Sequence, residues 1–272
     1  MIGILFAPPR TGKTCLMTHM ANEVAFDRQR TRAMQMEIMR KQASGFDGLQ
    51  TIPLHCVSAN YDMTMRKFGY RPRFNRRINP YRLGFANEYV ETHFTLPYEF
   101  ICIDEAQGPL DSHMAMYYPR WQSSWYEQSG HNNLDILLAT QRPMLINANI
   151  RELAYFMDVV KLDKWYDDFG KVKRLRWYIR RLDNSGLFDR YMASGKQDKS
   201  LYEEDTITAE YNVFDCYDSQ SCKPKFYAGH MDEDFDYEQA EVTDDTFDGY
   251  VRYLREHDDD LPENFYMKRK AA

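Results

Sequence analysis

Residues 7–14 have the residue types and spacing of a phosphate-binding loop. The sequence Ala-Pro-Pro-Arg-Thr-Gly-Lys-Thr matches the pattern G-x-x-x-x-G-K-[ST], except that Ala7 replaces the first glycine. In such a loop, backbone N–H groups surround a β-phosphate, and the following helix directs its positive end toward the same anion. Lys13 would reach the β- and γ-phosphates, and the Thr14 hydroxyl would bind Mg²⁺. The expected cofactors are therefore ATP and Mg²⁺. The predicted nucleotide-binding residues are Ala7, Pro8, Pro9, Arg10, Thr11, Gly12, Lys13, Thr14 and Cys15.

Two carboxylates follow a second apolar run, at residues 99–103. Asp104 and Glu105 come directly after it, and the carboxyl ends of buried parallel strands are where ligands bind in open α/β folds. Asp104 is therefore expected to hold Mg²⁺, and Glu105 to polarise the attacking water. The alternative is a strand followed by an acidic helix start, because Asp and Glu also suit the first turn of a helix.

A third apolar run, residues 134–140, ends at Gln141. The side chain of Gln141 carries both a donor and an acceptor, so it is able to contact a γ-phosphate or to orient water. The alternative is an ordinary turn after the strand, because Pro143 interrupts regular structure there.

The helices and strands predicted around these residues form an α/β pattern with a mostly parallel central sheet flanked by helices. The sequence predicts one helix over residues 13–43 and an irregular basic insertion over residues 60–96. Residues 174–182 alternate basic and apolar side chains, which predicts an exposed strand of a small β-hairpin with its turn at 167–170. The other predicted strands are 2–6, 52–59, 99–103, 134–140 and 159–162. We expect one domain at 1–225 and an acidic C-terminal extension at 226–272, with a helix around 246–257.

Charge is distributed unevenly along the chain. The formal net charge of −6 combines two basic runs, at 64–82 and 161–181, with an acidic C-terminal part. The basic runs are either solvated faces or surfaces that contact DNA or anionic lipid. The sequence contains no apolar run long enough to span a membrane and no signal peptide, so a cytoplasmic protein is expected. The five cysteines are scattered, which favours reduced thiols over a disulfide framework.

Several motifs together resemble the zonula occludens toxin (Zot) family, which includes the gene I type assembly ATPases of filamentous phages. Ala139-Thr140-Gln141-Arg142-Pro143 is typical of the wider FtsK–HerA superfamily of P-loop NTPases. The likeness to the Zot family spans about 1–225, although such proteins usually carry a membrane span that this sequence lacks. The residues that carry it are Ile103-Asp104-Glu105-Ala106-Gln107, Pro119-Arg120, the segment 129–136, the strand at 55–60 that ends in Asn60, and the segment 211–219.

The resemblance implies an ATPase that couples ATP hydrolysis to phage genome export and virion assembly at the inner membrane. It implies a homo-oligomeric ring in which a neighbour's arginine stabilises the transition state, with Arg120, Arg142 and Arg151 as candidates. The expected partners are phage genome DNA or a DNA–protein complex and a separate membrane pore or assembly partner. The expected location is the host cytoplasm, and peripheral contact with anionic lipid at the inner membrane is a further expectation.

Two alternatives remain open. The first is a soluble FtsK/HerA-like ATPase that packages DNA into a capsid or moves it in conjugation. The second is a scaffold that binds nucleotide without hydrolysing it, which the atypical Ala7 makes plausible. A scaffold has no need of a general base, so the presence of Glu105 argues against the second alternative.

Overall fold

A computed structural model describes residues 1–43, 53–78, 80, 83, 96–112 and 120–218 of the 272-residue chain. Its centre is an eight-stranded sheet with the order β10-β9-β8-β1-β7-β6-β2-β5, beside which lies a three-stranded sheet, β11-β3-β4. The strands are β1 (Ile2–Phe6), β2 (Val57–Ala59), β3 (Asp62–Met65), β4 (Arg73–Phe74), β5 (Arg76–Arg77), β6 (Phe100–Ile103), β7 (Asp135–Thr140), β8 (Ala154–Tyr166), β9 (Val172–Leu182), β10 (Glu203–Ala209) and β11 (Tyr217–Asp218). The helices are α1 (Lys13–Ala25), α2 (Arg28–Ala43), α3 (Arg120–Gln128), α4 (Ala148–Glu152) and α5 (Ser185–Ala193).

The middle of the large sheet is parallel and buried on both faces. Strand β1 lies between β7 and β8, and β6 pairs with β7, all in parallel. All residues of β1 and β6 are buried, as expected for strands that read as continuous apolar runs. Helix α1 packs on one face, and α3, α4 and α5 contribute to the core on the other. The predicted α/β class and the mostly parallel sheet are therefore confirmed.

The predicted helix over 13–43 is wrong in one respect, because it is two helices. The first ends at Ala25, and Asp27 begins the second by accepting hydrogen bonds from the backbone N–H groups of Gln29 (2.9 Å) and Arg30 (3.1 Å). An Asp that caps a helix in this way has non-helical backbone geometry and satisfies donors that the helix itself leaves free. The helix-forming composition of 28–43 concealed this break.

Replacement of Asp27 by Ala should lower the free energy of unfolding by about 1 kcal/mol, because two N–H groups of the first turn of α2 lose their acceptor. Urea denaturation followed by circular dichroism measures this change. Glu127→Ala, which removes an exposed carboxylate from α3, is the control and should change the midpoint by much less. Equal effects of the two substitutions would show that Asp27 does not act as a cap.

The basic insertion predicted at 60–96 contains part of the sheets, and two of its arginines make contacts within the fold. Strand β5 extends the large sheet by pairing in parallel with β2. Arg76 is 5 % exposed and lies 3.4 Å from the buried Glu99. Arg73 donates to the carbonyl of Ala25 (2.7 Å) and lies over the ring of Phe26. Arg76 is therefore paired inside the fold, and the hypothesis that it belongs to a surface for DNA or lipid is wrong. Arg73 is partly exposed and is anchored to Ala25 and Phe26.

The predicted hairpin exists and is longer than expected. Strands β8 and β9 pair in antiparallel fashion, and the turn at 167–170 is held by Asp167, whose carboxylate accepts from the N–H groups of Phe169 and Lys171. Strand β9 is not an exposed strand, because β10 pairs with its other side. Basic and apolar side chains alternate along β9 because one face of the strand packs on the core and the other faces outward.

Within the described part of the chain, every helix is too short or too polar to cross a membrane. The extension at 226–272 and its predicted helix lie outside the described residues. The domain boundary at 225 therefore stays a prediction.

Candidate nucleotide-binding site

The loop between β1 and α1 has open N–H donors at a helix start. Gly12 precedes α1 in the left-handed conformation, with φ 85°, and no side chain caps the helix. Among the described residues, the first backbone bond of this turn is from Leu16 N–H to the Gly12 carbonyl, and none is made by the N–H groups of Lys13, Thr14 or Cys15. Uncapped donors at the positive end of a helix are the arrangement that binds phosphate. The residues present therefore fit a nucleotide phosphate.

The Lys13 side chain folds back over the loop that precedes it. Its ammonium donates to the carbonyls of Ala7 (3.0 Å) and Pro8 (3.1 Å), and the residue is buried. Burial lowers the pKa of Lys13, and the charges of Glu105 and Asp104 oppose that shift. The ammonium therefore lies inside the loop, beside the donors of α1. Cys15 points into the core, where burial raises the pKa of its thiol, so only its backbone is available to a ligand.

Thr14 and Asp104 meet at the carboxyl edge of the sheet. The Thr14 hydroxyl donates to Oδ2 of Asp104 (2.8 Å). Asn60 holds the backbone of Asp104 on both sides, because its amide donates to the Asp104 carbonyl (3.0 Å) and its Oδ1 accepts from the Asp104 N–H (2.8 Å). Burial raises the pKa of Asp104 to about 6, and the bond from Thr14 opposes that shift. One hydroxyl and one carboxylate are the oxygen ligands that Mg²⁺ takes beside phosphates.

Glu105 is held by two amides in a strained backbone conformation. Its φ of 51° lies in the left-handed region, where residues other than glycine are uncommon. Gln141 donates to one carboxylate oxygen (3.0 Å), and Gln107 donates to the other. Thr140 donates in turn to Oε1 of Gln107 (2.7 Å). The ends of β6 and β7 thus place the predicted base and the predicted γ-phosphate contact beside each other.

The candidate arginines occupy different places. Arg142 is exposed and follows Gln141 directly at the carboxyl edge. Arg151 lies at the opposite edge, because only one residue separates the end of α4 from the start of β8 at Ala154, which is in register with Ile2. Arg120 is the first residue of α3, and its side chain is outside the described part. Arg10 lies in the loop itself, exposed and with φ 65°. The structure therefore brings Arg142 and Arg10 to the site's edge and leaves Arg151 away from it.

Three residues at the site were not assigned a role from the sequence. Asn60 and Gln107 orient Asp104 and Glu105, and Trp177 donates from its indole N–H to the Gly12 carbonyl (3.2 Å). Asn60 and Gln107 lie in the motifs noted above, at a strand end and two residues after Glu105, and those positions could have signalled them. Trp177 gives no such signal, because it comes from β9, 165 residues along the chain from Gly12.

Replacement of Gly12 by Ala should destabilise the loop and weaken nucleotide binding together. A Cβ at this position would lie 2.7 Å from Cδ2 of Leu162 and 3.1 Å from the Trp177 indole nitrogen, and φ +85° is unfavourable for any residue with a Cβ. Thermal unfolding and equilibrium binding of a fluorescent ATP analogue measure the two effects. Gly69→Ala is the control for the backbone strain, because Gly69 has φ +81° but nothing within 4 Å of its Cβ position. A Gly12→Ala variant that binds as wild type would contradict this loop geometry.

The fold and the loop together define an α/β fold of the P-loop NTPase class. No protein-family model matches the sequence, and no curated protein matches it. Among solved structures, the N-terminal domain of zonular occludens toxin from Neisseria meningitidis is 16 % identical, with 80 % of this chain and 98 % of that chain covered and a TM-score of 0.45.

The genome packaging NTPase B204 from Sulfolobus turreted icosahedral virus 2 is also similar. Its complex with ATP-gammaS is 11 % identical, with 68 % of this chain and 93 % of that chain covered and a TM-score of 0.33. Its complex with AMPPCP is 10 % identical with the same coverage and a TM-score of 0.34. At these identities and TM-scores the similarity says nothing about activity or substrate.

Proposed function

We propose that this chain is an ATPase that couples ATP hydrolysis to the export of a phage genome during virion assembly. The observation that carries the ATPase part is the position of Glu105. Its carboxylate is held by Gln141 and Gln107 and follows directly after Asp104, which bonds to Thr14 beside Lys13. The proposed base, the proposed metal-binding pair and the proposed phosphate-binding cation thus lie together at one edge of the sheet.

Different residues of the site would bind the phosphates and the metal ion. The N–H groups at the start of α1 would bind the β-phosphate, and Lys13 would exchange its contacts with Ala7 and Pro8 for phosphate oxygens. Thr14 and Asp104 would hold Mg²⁺, which supplies positive charge to the phosphates. Burial raises the pKa of Asp104, and a bound cation would oppose that shift by favouring the ionised carboxylate.

Glu105 would act as the general base. It would accept a proton from a water whose oxygen attacks the γ-phosphorus, while the bond from that phosphorus to the β–γ bridging oxygen breaks and ADP leaves. Gln141 would orient the carboxylate and, on releasing Glu105, would contact the γ-phosphate. The two amides also fix the direction of Glu105, because they occupy both of its oxygens.

The assembly that we propose is a ring in which Arg142 of one copy stabilises charge in the site of the next. Arg142 is exposed beside Gln141, whereas Arg151 lies at the other edge of the sheet, so we favour Arg142 for this role. The role in genome export at the inner membrane rests on the motif resemblance to the Zot family, as do the partners: phage DNA or a DNA–protein complex and a membrane pore or assembly protein. Peripheral contact with anionic lipid belongs to the same proposal.

The role in genome movement is tested by the effect of DNA on ATP hydrolysis. Single-stranded and duplex DNA are added separately to the purified full chain with MgATP, and phosphate release is followed in time. We expect DNA to stimulate hydrolysis, because a motor is coupled to its track. ATP hydrolysis that neither form of DNA changes would contradict the coupling while leaving the ATPase assignment intact.

A further inference from the structure

The hairpin formed by β8 and β9 projects beyond the body of the large sheet at the nucleotide-binding edge. Strand β8 has 13 residues, but it pairs with β1 only from Ala154 to Asp158. Strand β10 supports β9 as far as Leu175. Residues 165–173 therefore form a free-standing end that neither β1 nor β10 covers.

The two faces of this hairpin differ in composition. Leu162, Leu175 and Trp177 point toward α1 and pack in its core cluster. The side chains in the alternate positions form the outer hairpin face, which consists of Lys161, Asp163, Trp165, Arg174, Arg176 and Tyr178. This face combines two aromatic rings with three cations and one carboxylate.

Cations and aromatic rings are interleaved on the outer hairpin face. The Lys161 ammonium lies 5.5 Å from the centroid of the Tyr178 ring. The guanidinium carbons of Arg174 and Arg176 each lie 5.4 Å from the centroid of Trp165. Such contacts hold extended cationic side chains in place. At the turn, Tyr166 and Phe169 are 54 % and 88 % exposed, so two further rings are available to a partner.

The acids of the hairpin neutralise only part of its charge. Asp163 pairs with Lys161 (2.7 Å), and Glu210 of the chain beyond β10 lies 3.0 Å from Arg174. The Asp167 carboxylate accepts hydrogen bonds from backbone N–H groups of the turn, and Asp168 is exposed. Within the described part of the chain, four cations of the hairpin have no carboxylate within 4.0 Å. These are Lys164, Lys171, Lys173 and Arg176.

The end of the hairpin that joins the sheet contacts the phosphate loop. Trp177, next to Arg176 in β9, donates to the Gly12 carbonyl, and Cδ2 of Leu162 lies 2.7 Å from the position that a Cβ of Gly12 would take. The Trp177 ring also stacks on His19 of α1, with centroids 5.6 Å apart and planes 13° from parallel. Neighbouring residues of β9 thus contact the nucleotide loop on one face and form the outer hairpin face on the other.

We propose that the outer hairpin face and the turn bind single-stranded nucleic acid, with Trp165 and the turn aromatics stacking on bases and with Lys171 of the turn and Arg176 of the face contacting phosphates. This surface deepens the genome-moving role proposed above and rests on it for the identity of the nucleic acid. Unpaired bases expose the ring faces that aromatic side chains stack on, whereas bases in a duplex do not. A bilayer fits less well, because insertion needs a continuous apolar face and here every ring is flanked by charge.

The test is fluorescence anisotropy of a labelled single-stranded oligonucleotide titrated with the full chain over a range of salt concentrations. Trp165→Ala should weaken binding about 5- to 150-fold, and Trp165→Phe should retain most of the affinity. Lys171→Gln and Arg176→Gln should each reduce the slope of log affinity against log salt by about 0.7. The controls Arg190→Gln and Lys199→Gln remove exposed cations outside the hairpin and should leave the slope unchanged.

The Lys13→Ala background separates this proposal from the ATPase assignment. Nucleic-acid binding and its dependence on Trp165 should persist there, even though ATP turnover is lost. Unchanged affinity in Trp165→Ala and an unchanged salt slope in both glutamine variants would overturn the proposal. It would equally be overturned if Trp165→Ala lost binding to phosphatidylglycerol vesicles and kept its affinity for the oligonucleotide, because the hairpin would then be a lipid contact.

Discussion

Replacement of Lys13 by Ala is expected to abolish ATP turnover and to weaken ATP binding about 10- to 150-fold. The estimate corresponds to the loss of one hydrogen bond to a charged group. The Lys13 ammonium is buried beside the open donors of α1 and donates to the carbonyls of Ala7 and Pro8. These carbonyls cannot replace it, since they would repel phosphate. Binding is measured by isothermal titration calorimetry with MgATP and turnover by phosphate release.

The matched control for this variant is Lys199→Ala, which removes an exposed lysine outside the site. It should bind and hydrolyse ATP as wild type does. Thermal unfolding without nucleotide separates a folding defect from a binding defect, because Lys13 also donates to its own loop. A folded Lys13→Ala protein with wild-type hydrolysis would contradict the phosphate-loop assignment.

Replacement of Glu105 by Gln should leave MgATP bound and reduce hydrolysis by about 10²- to 10⁴-fold. The amide keeps the size and the backbone preference of the residue but cannot accept the proton of the attacking water. It also keeps one oxygen as an acceptor for Gln141 or Gln107. A stable nucleotide complex that does not turn over is therefore the expected product.

Binding and hydrolysis must be measured on the same preparation, with Glu152→Gln as the control for removing a carboxylate elsewhere. If Glu105→Gln hydrolyses ATP at the wild-type rate, another group is the base, and the role of Glu105 would be structural. Loss of MgATP binding together with hydrolysis would instead make Glu105 part of the binding site.

The central strands and the loop were predictable because their signals are local. Strands β1 and β6 are short apolar runs that a parallel sheet buries on both faces, and the loop motif has a fixed spacing. The hairpin turn was predictable from Asp167 and Gly170. The break between α1 and α2 was not, because the composition around Asp27 favours helix on both sides and the cap is one side chain.

The residues that sequence analysis misassigned or left without a role are those whose partners lie far along the chain. The charge pattern predicts that Arg76 belongs to a basic surface, but Arg76 pairs with Glu99 inside the fold. Asn60 reaches Asp104 across 44 residues because β2 and β6 are neighbours in the sheet. A charge pattern gives the sign of a segment, but only the topology decides which of its side chains meet solvent.

The most direct test of the ATPase assignment is a single-turnover measurement of phosphate release from ATP with the purified chain in excess. The proposed site predicts release that requires Mg²⁺, stops when EDTA removes the metal, and is lost in Glu105→Gln. The contrary result is ATP that binds in the presence of Mg²⁺ and remains intact on the wild-type protein. That result would contradict the ATPase and leave a scaffold that binds nucleotide without hydrolysing it.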